Sequence, residues 1–522
     1  MLVAQLNKDV HKFGLISCIA GNCKFADLSF MQGRKHIEPK IMYQVSLDTL
    51  VSKDNFYRQL NAALDLSFLY KETASYYGSE GQESIDPVVF FKICLTGYLN
   101  NINSDRRLIE FCSNRLDIRL YLQYDIDEVL PWHSTISRTR QLYGEEVFLS
   151  LFRKVLTLCI EKGMVRGKRQ AVDSAFVKAN ASLDSLIAKE VIADVADYSS
   201  DLNEGSDYKI NIPETNKPSG KKKTGNDTHY SPTDPDAKMS LKLGKPCQLN
   251  YYAQIAVDDA HHVITGANAD FADQRDSQCM ERIVNQTIEN LEQNGLSIDQ
   301  LLADTNYSSG SVFRYMEEKN IDGYIPNHGG YKEEREGFIY NKDLDQYECV
   351  RGNRAIIPFI RIDKGHPGRT KKIYRSSNKS CKNCPLRDAC IGKLNYKKIT
   401  DSTDKPLYDR MHQKMQTPLG KKMSKIRGKT VEPVLETLIN FLNMKRANAR
   451  GITQANKQVI MASLSYNLKK YLKFITQKSK WCVVALNTSS KSSKELPMNQ
   501  LGSNQGFHYI QPNRPLRISL LL

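Results

Sequence analysis

The sequence predicts an α/β protein. A mixed sheet with flanking helices follows an all-α N-terminal unit and is interrupted by a basic, cysteine-bearing insertion. Three observations carry this expectation. Residues 46–165 place apolar side chains at helical spacing, with capping residues between the runs. At Arg169 the pattern turns strand-like, and strand and helix patterns then alternate as far as Ile325. Residues 332–420 break that alternation with cationic side chains and clustered thiols.

In the N-terminal unit Ser46 caps a segment through Leu50 and Val51, and Asp86-Pro87 opens one carrying Val88, Phe91, Cys94 and Leu95. Ser104-Asp105 caps a third with Leu108, Ile109 and Cys112, Ser134 starts a fourth, and Glu145 to Cys159 makes a fifth. The unit is long enough for a core of its own. Arg106, Arg107, Arg138 and Arg140 suit DNA phosphate contacts, against the plainer reading of solvated helix faces.

Residues 170–178 read as a strand. A polar excursion over 200–246, including Lys221-Lys222-Lys223, reads as a long loop. Strands follow at 248–257 and 261–268, then a helix from Asp276 to Asn294 with Met280, Ile283, Val284, Ile288 and Leu291 on one face. A strand at 300–303, a helix at 309–319 and a strand at Gly323-Tyr324-Ile325 complete the series. This order resembles a mixed sheet of the ribonuclease H type. The insertion contains a strand-like Tyr347-Glu348-Cys349. Helix returns from Val431 to Phe474 with two apolar faces, one through Ile452, Ala455, Val459, Ala462 and Tyr466, the other through Ile460, Leu464, Leu468 and Leu472, as for a buried helix against the sheet.

At 522 residues the length allows about three domains of ~150 residues or one interrupted catalytic domain. The expected organisation is an N-terminal extension (1–30, with Met31 an alternative start), a helical DNA-binding domain (31–165), the first part of the catalytic core (166–331), the insertion (332–420), the core's C-terminal helices (421–477) and a loose tail (478–522). Hydrophobic content of 40% and charged content of 25% exclude a disordered chain. Lys and Arg number 74 against 58 Asp and Glu, and the resulting charge of +16 suits a polyanion such as nucleic acid, or an anionic membrane surface. No run approaches the ~18 apolar residues of a membrane span. Leu15-Ile16-Ser17-Cys18 resembles a lipoprotein box behind Lys8 and Lys12, but its apolar core, Phe13 to Ser17, is shorter than the ~7–15 residues a signal peptide uses. Cys94, Cys112 and Cys159 lie in apolar helical patterns, as buried thiols of a reducing cytoplasm do.

Three acids stand out. Asp173 breaks the apolar run Ala171-Val172-Asp173-Ser174-Ala175-Phe176-Val177, costly in a central strand unless the charge is coordinated or paired. Its plain alternative is an edge strand facing water. Asp304 ends the run Leu301-Leu302-Ala303, where α/β sheets place ligands; it could equally be a turn or cap residue. Glu432 precedes Pro433, which suits a first helical position and sets Glu432 at the N-cap, with Glu436 one turn on as its rival. Two carboxylates on strands and one on a helix are what two-metal phosphoryl transfer needs, with two Mg²⁺ as the ions.

A family resemblance rests on Ala171-Val172-Asp173-Ser174, Leu302-Ala303-Asp304-Thr305-Asn306-Tyr307, Val431-Glu432-Pro433-Val434 and Asn467-Leu468-Lys469-Lys470. It also rests on Gly81-Gln82-Glu83-Ser84-Ile85-Asp86-Pro87 and Asn103-Ser104-Asp105-Arg106 in the helical unit. From about Met31 to Phe474 the chain resembles a DDE transposase of bacterial insertion sequences. The resemblance implies a ribonuclease H-like catalytic domain with Asp173, Asp304 and Glu432 as its catalytic, Mg²⁺-holding acids. It further implies cleavage at element ends, strand transfer into target DNA, double-stranded DNA as partner, and at least a homodimer on DNA in the cytoplasm, at the nucleoid. Arg427 corresponds loosely to an Arg that relatives place before the Glu. Their Lys two turns after it has no counterpart: that stretch reads Leu438-Ile439-Asn440, and Lys445 comes late. A metal-dependent nuclease of the same fold, and a non-catalytic DNA-binding derivative, are the alternatives.

Cys381-Lys382-Asn383-Cys384 with Cys390, and Cys349 as a fourth, has the make-up of a structural zinc site. Buried or surface thiols, or a redox pair, are its alternatives. Lys371 and Lys372 in the insertion, and Lys421, Lys422 and Arg427 ahead of Glu432, suit phosphates along a DNA end.

Overall fold

A computed structural model of the chain describes residues 46–78, 84–189, 225–241, 246–329, 331, 335–366 and 369–491. The expected extension over 1–30, the Gly81-Gln82-Glu83 stretch, Lys221-Lys222-Lys223, most of the polar excursion and the end of the tail lie outside the described residues.

Among the described residues eight α-helices come first: α1 (Leu47–Leu50), α2 (Phe56–Ala63), α3 (Leu69–Thr73), α4 (Pro87–Leu99), α5 (Asp105–Ser113), α6 (Leu116–Leu122), α7 (His133–Leu142) and α8 (Glu145–Glu161). Two of the suggested caps act as expected, while the fourth helix starts at His133, ahead of Ser134, with no side-chain cap. Asp86 accepts the Val88 and Val89 amides ahead of Pro87, and the Ser104 side chain accepts the Arg107 amide. Helix α4 is buried on every side, with Phe90, Phe91, Ile93 and Leu95 inaccessible. Even Lys92 is buried, its Nζ donating to the Tyr121 carbonyl at 2.8 Å.

The main sheet contains β1 (Arg169–Lys178), β4 (Lys238–Ser240), β5 (Gln248–Asp258), β6 (Ile264–Phe271), β7 (Gln300–Leu302) and β8 (Asp322–Tyr324). Its order is β4-β5-β1-β7-β8, with β6 also paired to β5. A small ribbon of β2 (Ile187–Ala188) and β3 (His229–Tyr230) stands apart. Strand β1 is central, antiparallel to β5 and parallel to β7. The edge-strand alternative for Asp173 is thereby excluded.

Helices α9 (Gly225–Thr228), α10 (Asp276–Glu292) and α11 (Gly310–Glu318) occupy the connections. Five antiparallel strands make a second sheet inside the insertion: β9 (Phe338–Asn341), β10 (Gln346–Cys349), β11 (Ile356–His366), β12 (Arg369–Arg375) and β13 (Lys398–Ser402). Among the described residues its buried core is Tyr347, Ile357, Tyr374 and Ile399. Short helices α12 (Asn378–Lys382) and α13 (Arg387–Cys390) precede β13. The chain then returns through α14 (Lys405–Gln416), α15 (Pro418–Phe441) and α16 (Ile452–Lys491).

Three expectations are corrected. The N-terminal helices do not close a core of their own. One apolar cluster runs from Phe90, Phe148 and Leu151 through Val257 to Leu464 and Leu468, because α8 and α4 pack on α16, which itself lies on β6. Helix α15 starts at Pro418, capped by Thr417, so Glu432 and Pro433 stand in its interior and not at its N-cap. The last helix continues past Lys478 to Lys491, where a loose tail reads from composition. Among the described residues no helix is long and apolar enough to cross a membrane.

Candidate active site

The alternation of β1 sets the two sides of the site. Ala171 and Val177 join the core shared with α15 and α16, while Val172 joins the cluster on the other face with Met280 and Ile283 of α10. Asp173 shares its face with Ala171. On the opposite face Ser174 donates to Asp276, which also accepts the Tyr252 hydroxyl at 2.6 Å. That pair of bonds pins β1 next to Asp173.

Strand β7 pairs with β1 in the register Arg169 to Gln300, Gln170 to Leu301 and Ala171 to Leu302. Asp304 follows two residues beyond this pairing, and its charge acts on Asp173, two residues beyond Ala171 on β1. Asp304 also caps the 3₁₀ turn Thr305–Tyr307, its Oδ1 accepting the Thr305 amide at 2.6 Å. The cap reading of Asp304 therefore holds, just beyond the carboxyl end of β7. Burial pushes the Asp173 carboxyl above the ordinary carboxylate range. The Asp304 charge adds to this, while the Ser174 amide and Arg427 oppose it.

Glu432 arrives on α15, which lies against β1, β5, β7 and β8. The guanidinium of Arg427 joins the acids: Nη1 donates to Asp173 Oδ2 at 2.9 Å and Nη2 to Glu432 Oε1 at 2.8 Å. The Arg427 and Asp173 side chains are 16% and 18% exposed, Glu432 60%, so the cluster is sealed on the sheet side and open at Glu432. No bond joins Glu436 to this cluster; it is exposed one turn on. Among the described residues no three His, Cys, Asp or Glu side chains are gathered tightly enough to hold a metal ion. In the carboxylate set Arg427 is bonded to both Asp173 and Glu432. The donor set nevertheless fits a hard divalent cation in kind, being three carboxylates.

Gly428 is a residue the sequence reading misses. A Cβ built there would stand 3.1 Å from Glu432 Oε1, so the bare glycine makes room for that carboxylate one turn ahead. The signal was a glycine four residues before the acid, readable only once the helix is drawn back to Pro418. Pro433 has no N–H to offer the Lys429 carbonyl, which loosens the helical ladder at the acid.

The cationic candidates divide. Arg106, Arg107, Arg138, Lys371, Lys421 and Lys422 are exposed. Lys421, Lys425 and Lys429 form an exposed stripe at helical spacing on α15, leading toward Glu432. Arg140 is not available to DNA: it is buried, with bidentate bonds of 2.9 and 2.7 Å to Asp105 that tie α7 to α5. Lys372 pairs with Asp345 at 2.8 Å, and Arg427 is held between the acids. The expected zinc thiols are not gathered either. Cys349 donates to the Arg351 carbonyl at 2.6 Å, Cys381 lies 3.0 Å from the Ser376 hydroxyl, Cys384 rests against Gly352, and Cys390 is exposed.

Residues 45–142 match the family described as Transposase domain (DUF772), and residues 349–472 match the family described as Transposase DDE domain. The second span includes Glu432 but neither Asp173 nor Asp304. No curated protein matches the chain. Among solved structures, a piggyBac transposase synaptic complex with hairpin DNA, determined by cryo-EM, is 10% identical over 81% of this chain and 74% of that one. Its TM-score of 0.29 is too low for a shared fold to be argued from it. Two separate stretches, one in the helical region and one reaching through α15, thus match transposase families, the second of them of the DDE type.

Proposed function

We propose that the chain cuts DNA at the ends of its element and joins the freed 3′-hydroxyl to target DNA, using Asp173, Asp304 and Glu432 on a ribonuclease H-like sheet. One observation supports this above the others: a single guanidinium ties Asp173 to Glu432, while the Asp304 charge acts on Asp173. Acids from distant parts of the chain are thereby joined at the middle of a central strand.

Asp173 and Asp304 would hold Mg²⁺ together with Glu432. When bound, such ions make the attacking water or hydroxyl more acidic and stabilise the leaving oxygen. The chain's own residues do the positioning. Strand β1 fixes Asp173 by pairing with β5 at that residue and with β7 just before it, and α15 carries Glu432 on a helix anchored by Val431, Val434 and Leu438, all buried. The stripe of Lys421, Lys425 and Lys429 would track backbone phosphates toward the acids. Arg427, within reach of both carboxylates, would turn to the reacting phosphate once they are engaged. Cutting two ends together would take at least two copies on DNA, in the cytoplasm at the nucleoid.

The test uses the full chain, duplex DNA carrying the sequences that flank its coding region, and Mg²⁺. Asp173→Asn should abolish cleavage and retain DNA binding. Cleavage that survives the substitution overturns the site. Cleavage without joining to a target duplex would favour the nuclease alternative.

A further inference from the structure

A second place on the molecule has the make-up of a nucleic-acid contact. The α4–α5 turn, the segment after β1 and the segment before α16 enclose a cavity of about 500 Å³. Asn103, Ser104, Arg107, Asn180, Arg446 and Asn448 line it, and no acid is among its lining residues. Its walls are bonded to each other before any ligand arrives. Arg446 Nη2 donates to Asn180 Oδ1 at 3.0 Å, Asn103 Nδ2 donates to the Arg446 carbonyl at 3.2 Å, and Asn101 Nδ2 donates to the Asn440 carbonyl at 3.0 Å.

Around this cavity the cations are uncompensated. Arg107, Lys178, Lys445 and Arg446 are all exposed, and none forms an ion pair among the described residues. The Lys178 amide donates to the Lys445 carbonyl at 3.2 Å, so these two lysines stand side by side. Asp105, next in sequence to Ser104, is already committed to Arg140. A fold that pairs most of its buried and half-buried cations thus leaves four together beside a polar hollow. Amides and hydroxyls that give and accept hydrogen bonds, with guanidinium forks, suit phosphate, sugar and base edge together.

The position relative to the acids is set by β1. Lys178 lies five residues beyond Asp173 on that strand, about 17 Å at ~3.3 Å per residue. That equals the rise of about five base pairs. We propose that the cavity with Arg107 and Arg446 is a subsite for DNA backbone and base about five base pairs from the bond cut at the carboxylates. The distance rests on the catalytic reading above; the DNA contact itself does not.

The experiment compares the full chain with Arg107→Ala, whose side chain has no partner to lose, and with Arg107→Ala/Arg446→Ala. It measures binding to the flanking-sequence duplex across salt concentrations, with hydroxyl-radical footprinting and a thermal melt of each protein. Two lost phosphate contacts should lower the slope of log affinity against log salt by about 1.8 and weaken binding by tens of fold at ~0.1 M salt. Protection should vanish about five base pairs from the cut while the melt is unchanged, and Arg107→Ala alone should give about half the change in slope. An unchanged slope and footprint in both variants overturns the subsite, as does failure of the unaltered chain to bind DNA. If Asp173→Asn still cleaves while the arginine variants lose slope, the subsite stands and the carboxylate assignment falls.

Discussion

Gly428 offers a test of whether Glu432 works where α15 puts it. Glycine in a helix interior costs about 1 kcal/mol relative to alanine. Gly428→Ala should therefore stabilise the protein by up to that amount if nothing else changes. The added Cβ would meet Glu432 Oε1 at 3.1 Å, where ordinary contacts begin at 3.4 Å. The carboxylate must yield by about 0.3 Å, against the bond that Arg427 makes to it. A misplacement of ~1 Å costs on the order of 100-fold in rate, so about 0.3 Å corresponds to roughly fourfold. The predicted variant is more stable and about fourfold slower in Mg²⁺-dependent cleavage, measured by denaturant melts and single-turnover assays. Glu432→Gln supplies the control. If the glycine acts through that carboxylate, Gly428→Ala costs nothing further in a Glu432→Gln background, by double-mutant logic. Full activity in Gly428→Ala, or the same fourfold loss in both backgrounds, would refute the reasoning.

Further outcomes follow from the same geometry. Arg140→Ala leaves Asp105 part-buried without its bidentate partner and should cost about 3–5 kcal/mol in a denaturant melt; replacing both residues with apolar ones of similar volume should recover most of it. Substituting Lys421, Lys425 and Lys429 together with alanine should reduce the salt slope of DNA binding by about 2.7, three contacts at ~0.9 each, with stability unchanged. Asn467 is fully buried and both accepts the Ile264 amide at 2.9 Å and donates to the Ile264 carbonyl at 2.8 Å. Asn467→Ala orphans both backbone groups and should cost about 2–6 kcal/mol, at ~1–3 each; wild-type stability would count against this pairing.

The parts of the fold legible in sequence are those whose burial is local in pattern. The apolar run around Asp173, the stripe of Met280, Ile283 and Val284, and the two apolar faces after Ile452 all became buried elements. The five-stranded sheet of the insertion was not legible beyond Tyr347-Glu348-Cys349. Its few buried side chains are scattered, and Ile356, Ile360 and Ile362 of β11 remain exposed, so no strict alternation marks the strands. The start of α15 was hidden because Lys421 to Lys429 reads as a solvated charge run. Thr417-Pro418 carried the capping signal. Arg140 shows the limit of charge counting, since only the fold reveals that its partner is Asp105. In the site, Asp173 was legible as an acid in an apolar strand, but its closeness to Asp304 is a matter of sheet register, which no local pattern specifies.

The long insertion between Asp304 and Glu432 raises a question of precision, because a third carboxylate delivered by a wandering chain would be poorly placed. The structure answers it by decoupling connection from position. The chain leaves the sheet after β8 and returns through α14, whose Lys414 Nζ donates to the Gly323 carbonyl of β8 at 2.7 Å. Exit and re-entry are thus fastened to each other at the sheet. From there α15 is located by its own buried side, Met423, Thr430, Val431, Val434 and Leu438, pressed on β1, which carries Asp173, and on β7, which Asp304 follows. Glu432 follows one residue after fully buried Val431 and two before fully buried Val434. Its Cα is therefore fixed by core packing, and Arg427 fixes the carboxylate. Length and sequence in the insertion can vary without moving the site, provided that the fastening at β8 and the apolar side of α15 are kept.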